Sequence, residues 1–137
     1  MSFVLDNSVA MAWCFHDEQT PPVMELLDRV TETGGTAPTL WPLEALNGLY
    51  VAERRRRITR AQREQMAGFL RDLPVRLDEG AADRAWTSLA ALADRFTLSL
   101  YDAAYLELAQ RRNLPLATRD AALTRAAQAV SVEVLGH

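Results

Sequence analysis

Four acids, Asp6, Glu44, Asp102 and Asp120, stand where short apolar runs give way to helix starts. A parallel α/β fold gathers its ligands at such places, outside the carboxyl ends of the strands. Asp6 follows Phe3-Val4-Leu5, and Asp120 follows Leu116-Ala117-Thr118. Glu44 and Asp102 fall in the first turns of helices opening near Pro42 and Ser99. Their neighbours are largely apolar: Leu40, Trp41, Leu43 and Leu46 around Glu44, and Leu98, Leu100, Ala103 and Ala104 around Asp102. Acids are seldom buried without a partner. The chain has no lysine, and no arginine is close to either acid in sequence. Carboxylates converging in one cleft raise each other's pKa unless a cation neutralises them. Oxygen-only ligands select hard ions, Mg²⁺ or Mn²⁺. Such a site polarises a phosphodiester oxygen and supplies a hydroxide nucleophile near neutral pH. The chemistry indicated is hydrolysis of phosphate esters.

Each acid also has a purely structural reading. Asp6 or Ser8 can cap the first helix, and Asp120 its own. Ser99 to Asp102 fits an acidic capping box, and Glu44 complements a helix dipole. The coincidence of four at one rim favours a site.

Composition removes competing chemistries. All fifteen basic residues are arginine, which excludes a P-loop lysine and Schiff-base catalysis. His16 and His137 are the only histidines, too few for a histidine-rich zinc site. Cys14 is unpaired and sits in the apolar run Met11 to Phe15, as core filler in a reducing compartment. No apolar run approaches the roughly 20 residues of a membrane span, and no basic leader opens the sequence, so the expectation is a cytoplasmic protein. A length of 137 residues suits a single domain, 1–137.

The elements that must position these acids alternate. Strands are predicted at Phe3–Leu5, Thr36–Leu40, Val75–Leu77, Pro115–Thr118 and Val130–Leu135. Helices fall between them. The first runs over Val9–Phe15, and the second follows the Thr20 cap and stops at Gly34-Gly35. The third opens at Pro42 with Leu43, Leu46, Leu49 and Tyr50 on one face, and Thr59 to Gln62 forms a capping box for the fourth. Ala82–Phe96 follows with Ala85, Leu89 and Leu92 as its core stripe, then Ser99–Arg112, then a short helix from Asp120. This alternation is that of an α/β fold, a short, mostly parallel sheet covered on both faces.

Val4-Leu5-Asp6-Asn7-Ser8, Leu43-Glu44-Ala45-Leu46-Asn47, the run Leu98 to Tyr105 and the run Leu116 to Leu123 resemble the motifs of the PIN-domain nucleases, and among them the VapC-type toxins. The resemblance covers essentially the whole chain in the right order. It implies a Rossmann-like three-layer α/β/α sandwich and an acidic quartet, Asp6, Glu44, Asp102 and Asp120, that binds Mg²⁺ or Mn²⁺. Ser8 and Thr118 match the hydroxyl residues that orient that cluster. The implied activity is endoribonuclease cleavage of tRNA or ribosomal RNA by a homodimer held in check by a cognate antitoxin. Some relatives carry a further acid soon after the last motif; here Ala121, Ala122, Leu123 and Thr124 follow Asp120. One well-bound ion is therefore expected, with a second weak or recruited by RNA.

Other features are read beside this. Arg54, Arg55, Arg56 and Arg57 could contact RNA phosphates, dock an antitoxin or simply cap a helix end. Arg119 could steady the scissile phosphate or form a surface ion pair. Trp13, Trp41 and Trp86 are expected in core or interface packing, and His16 in an exposed loop. A catalytically silent binding module would lack one of the acids, and none is missing. A haloacid-dehalogenase-like phosphatase needs a second aspartate where Ser8 stands, and a lysine. A structure-specific DNA nuclease shares the metal logic and is the weaker alternative, because no clamp or extra domain is present.

Overall fold

The structure is a computed structural model and describes residues 2–137. Five strands form one sheet: β1 (Val4–Leu5), β2 (Gly35–Pro38), β3 (Val75–Asp78), β4 (Leu116–Ala117) and β5 (Val134–Leu135). All pairings are parallel, in the order β3-β2-β1-β4-β5. The chain steps outward from β1 to β3 and then reverses to fill β4 and β5. Neighbouring β1 and β4 therefore leave the sheet at its topological switch point, where open α/β sheets bind ligands. Their register pairs Leu5 with Ala117, which brings the residues just beyond, Asp6 and Thr118, side by side.

Helices α1 (Asn7–Cys14), α2 (Pro21–Thr33), α3 (Trp41–Arg54) and α4 (Arg60–Arg71) occupy the first crossovers. Helix α5 is composite, with α-helical Ala81–Arg84 and Ala90–Phe96 on either side of a π-helical segment, Ala85–Leu89. Helices α6 (Leu100–Arg112) and α7 (Ala121–Ala129) follow, and a 3₁₀ turn spans His16–Glu18. The expected caps form: Thr20 accepts from the Val23 amide, and Thr59 and Gln62 close a full capping box. Gly34 ends α2 with φ +77, a left-handed value that glycine adopts freely.

The main core surrounds the sheet, and Leu89, Ala103 and Ala104 form a smaller second cluster. Phe3, Val4, Leu5, Leu116 and Ala117 are fully buried, as near-continuous apolar runs in a doubly covered sheet should be. Every residue of α6 from Ala103 to Ala109 is buried, so α6 is a central helix packed on β1, β2 and β4. Even Glu107 is buried there, beside Arg111 and Arg84. Helix α3 lies close on α1 because residue 48 is glycine; a Cβ there would stand 2.8 Å from Met11 Sδ. That approach sets the Glu44 end of α3 against the strand end bearing Asp6.

Several expectations are corrected. The inward face of α3 is Trp41, Ala45, Leu49 and Ala52, whereas Leu43, Leu46 and Tyr50 are exposed. Two overlapping apolar stripes exist on this helix: α1 approaches it at Gly48, and Trp41, Ala45 and Leu49 line a groove beside α4. In α5 Leu89 of the expected stripe is buried, Leu92 packs partly buried against the core and Ala85 is half-buried. Trp13 and Trp41 are core residues as expected, but Trp86, in that π segment, is 91% exposed. The last strand is confined to Val134–Leu135, and residues 130–133 form the turn before it. Cys14 is buried and its thiol is pushed up to about 11 by desolvation. Among the described residues, no helix is long and apolar enough to cross a membrane.

Candidate active site

Asp6 is the last residue before α1, and its relative exposure is only 4%. The hydroxyls of Ser8 and Thr118 both donate to its Oδ2, at 2.6 and 2.8 Å. Each hydroxyl in turn accepts a backbone amide: Ser8 Oγ from Arg119 at 2.9 Å, and Thr118 Oγ1 from Asp120 at 3.0 Å. Both donors are therefore fixed in direction, and they clamp the carboxylate across the β1–β4 seam. Asp120 caps α7 by accepting from the Leu123 amide at 2.8 Å. Asp120 thus fills the structural role and stands at the site rim at once.

Glu44 is half-buried in the first turn of α3. The phenol of Tyr105, itself fully buried, donates to Glu44 Oε1 at 2.6 Å. Asp102 is half-buried in the first turn of α6, where its backbone amide is capped by Ser99 Oγ at 3.0 Å.

None of the ion pairs among the described residues includes Asp6, Glu44, Asp102 or Asp120. The consequence is electrostatic. Asp6 is raised above the ordinary carboxylate range by burial, which outweighs its hydroxyl donors. Glu44 is raised by burial and then by the charge of Asp6, against the Tyr105 hydrogen bond. Asp102 is pushed up to about 6 by burial and by the charges of Asp6, Asp120 and Glu44. These mutual effects place the four acids in one shared field.

The donor set fits a hard divalent cation. It is all oxygen, it lacks any compensating arginine, and Asn7 Oδ1 is buried beside Asp6 in sequence without a hydrogen-bond partner. Among the described residues, no three carboxylates form a group that could hold an ion as they stand. The acids are coupled through space, not already closed around one point, so binding requires side-chain adjustment at the rim.

A pH dependence follows from these shifts. The folded chain holds the Asp102 proton more tightly than the unfolded chain, whose aspartate titrates near about 3.9. The stability this supplies is complete below about pH 4 and is lost as pH rises through about 6. Asp6 and Glu44 act in the same direction. Thermal melts in EDTA should therefore fall from pH 4.5 to 7, with a shallower fall in Asp102→Asn. Mn²⁺ should restore the loss at pH 7.

The arginines sort differently from one another. Arg57 is held by Asp17 and Glu18, both at 2.8 Å, and lies 3.9 Å over the Phe15 ring. Arg119 pairs with Glu18 at 3.2 Å, leaving its backbone amide as its link to the acids. Arg54, Arg55 and Arg56 are exposed and enter none of the described ion pairs. Ten residues of helix separate Arg54 from Glu44, about 15 Å at 1.5 Å per residue.

Two features are not legible in the sequence. Tyr105 reads there only as an apolar neighbour, although its place three residues after Asp102 puts both on one face of α6. Asp78, at the carboxyl end of β3, is buried and accepts from Arg111 and Arg112. Strand-end spacing marks it no more than any loop acid.

The chain matches the PIN domain family over residues 3–129. It belongs to that family. This PIN domain shares its fold with PAE2754 from Pyrobaculum aerophilum: TM-score 0.67, 20% identity, 92% of this chain and 84% of that one covered. VapBC2 from Rickettsia felis, solved with a DNA fragment from its promoter, gives TM-score 0.68 at 10% identity, covering 98% and 97%. FitAcB from Neisseria gonorrhoeae gives 0.67 at 17%, covering 99% and 97%. At these identities the likeness establishes the fold alone. Comparison with curated protein sequences finds no match.

Proposed function

We propose that this PIN domain is a metal-dependent endoribonuclease acting through Asp6, Glu44, Asp102 and Asp120. The observation that carries the reading is the shared field of these acids at the sheet's switch point, with no cation of the protein's own to relieve it. Asp6, Asp102 and Asp120 would hold Mg²⁺ or Mn²⁺, with Glu44 joining them or facing the attacking water. When bound, the ion supplies a polarised phosphodiester oxygen and a water of lowered pKa. The chain's own residues do the rest. Ser8 and Thr118 hold the Asp6 carboxylate in one orientation. Glu44 has Oε1 engaged by Tyr105, which leaves Oε2 free to join the ion's ligands or to orient the water and take its proton. The acidic rim repels phosphate, so Arg54, Arg55 and Arg56 serve phosphates well away from the scissile one.

The reading extends to a toxin of a toxin–antitoxin pair. The motif resemblance supports it, together with the common fold with VapBC2 and FitAcB. Exposed apolar side chains support protein partners, either an antitoxin or a second copy in a homodimer. Leu43 and Tyr101, 77 and 65% exposed, line one groove with Glu44, and Trp86 is 91% exposed.

The direct test offers the purified protein folded RNA and single-stranded DNA of the same sequence, with Mn²⁺, Mg²⁺ or EDTA, and maps new 5′ ends. Discrete RNA cuts that require the metal are expected. Intact RNA with a folded, partner-free protein would refute the ribonuclease reading, and cuts confined to DNA would redirect it.

A further inference from the structure

Glu44 presents a problem of positioning. It lies on α3, whereas Asp102 lies on α6, and a glutamate side chain in a half-open first turn has three torsions free to swing it into water. Unlike Asp6, it has no neighbouring serine or threonine holding it. One contact restrains it. Tyr105 is fully buried, one turn below Asp102 on the same face of α6, and its hydroxyl donates to Glu44 Oε1 at 2.6 Å. Among the described side-chain hydrogen bonds it is the one that joins α3 to α6. The ring is fixed by core packing on all sides, so the hydroxyl cannot follow a wandering carboxylate; the carboxylate must come to it.

We propose that Tyr105 is a positioning residue of the acid site, which locks one oxygen of Glu44 and delivers the other to the cation shared with Asp6 and Asp102. This rests on the reading of the acids as a cation site. A partner that orients a ligating carboxylate from behind is worth about 10- to 100-fold in metal affinity when removed. The tyrosine and its glutamate therefore work as one unit spanning two helices, and the distance between those helices becomes part of the metal site.

The variant Tyr105→Phe keeps the ring and its packing and removes only the donor. Titration of the metal-free protein with Mn²⁺ by calorimetry, without RNA, is the primary measurement. Binding about tenfold weaker or worse is expected, with a lower kcat on RNA at unchanged KM. In a Glu44→Ala background the same change should add little, because the acceptor of the tyrosine's hydrogen bond is gone. Far-ultraviolet circular dichroism in EDTA, expected to be the same for wild type and Tyr105→Phe, controls for folding. Unchanged Mn²⁺ affinity in Tyr105→Phe would overturn the proposal, as would an equal loss in the Glu44→Ala background. If the wild type bound no Mn²⁺ at all, the cation reading would fall first and this inference with it.

Discussion

Asp6→Asn is expected to cut cleavage by orders of magnitude and, in EDTA, to raise the melting temperature. The two effects have one cause. Asp6 is the most buried of the four acids, and burial raises its pKa despite the Ser8 and Thr118 donors. In the metal-free protein at neutral pH its charge is a burden on the fold. Asparagine keeps the shape, and its amide oxygen still accepts from both hydroxyls. Relief of about 1 kcal/mol would lift the melting point by about 3 °C. The same change removes a charged oxygen ligand, and activity should fall on the order of 10³-fold, about 4 kcal/mol in the barrier. Paired melts and single-turnover cleavage check both halves. A stability loss with activity retained would mean that Asp6 is only a helix cap.

The largest loss of stability is expected from Asp78→Ala. Asp78 ends β3 and accepts from the Gly80 amide at 2.9 Å, from Arg111 Nη2 at 2.8 Å and from Arg112 Nη2 at 2.7 Å. Arg111 Nε also donates to buried Glu107 at 2.7 Å, and Arg84 joins it at 3.1 Å. The cluster ties the edge strand to the carboxyl-terminal end of α6. Alanine would strand Arg111 beside a buried strand end with half its partners gone. Breaking such a pair costs about 3 kcal/mol, the low end of the buried range because Arg112 is half exposed. A fall of roughly 10 °C in melting temperature follows. The guanidinium groups hold Asp78 well below the usual carboxylate range. Its contribution is therefore present above about pH 4 and lost as pH falls through its folded value. The wild type should lose stability in that acid range, and the variant should lose much less. A change under about 1 kcal/mol would show that the arginines find water instead.

What could be read from the chain divides along physical lines. Fold class, strand order of appearance and the rim positions of the acids follow from local signals. The short strand runs just before Asp6 and Asp120, and the caps at Thr20, Thr59 and Ser99, depend only on neighbours a few residues away. Facing is harder. On α3 two apolar stripes share Leu49, and packing against α1 and α4 buries Trp41 and Ala45 with it while Leu43, Leu46 and Tyr50 stay exposed. A π segment in α5 cannot be seen in a hydrophobic repeat, so the exposure of Trp86 runs against its apolar surroundings in sequence. Long-range polar contacts are hidden for the same reason. Nothing near Tyr105 announces Glu44, sixty-one positions away, and nothing near Asp78 announces Arg111. The arginine run illustrates the limit: one cluster in sequence is one structural residue, Arg57, and three solvated ones in space.

Everything proposed for the site depends on the four acids sharing one divalent cation. Calorimetric titration of metal-free protein with Mn²⁺ at pH 7 and pH 5.5 examines that sharing without any substrate. Saturable binding is expected at pH 7, weaker binding at pH 5.5 with more protons released per ion, and loss of binding in Asp6→Asn. Metal must displace protons from acids whose affinity for them burial and mutual charge have raised. Absence of binding at pH 7, or binding indifferent to Asp6 and to pH, would contradict a shared cation.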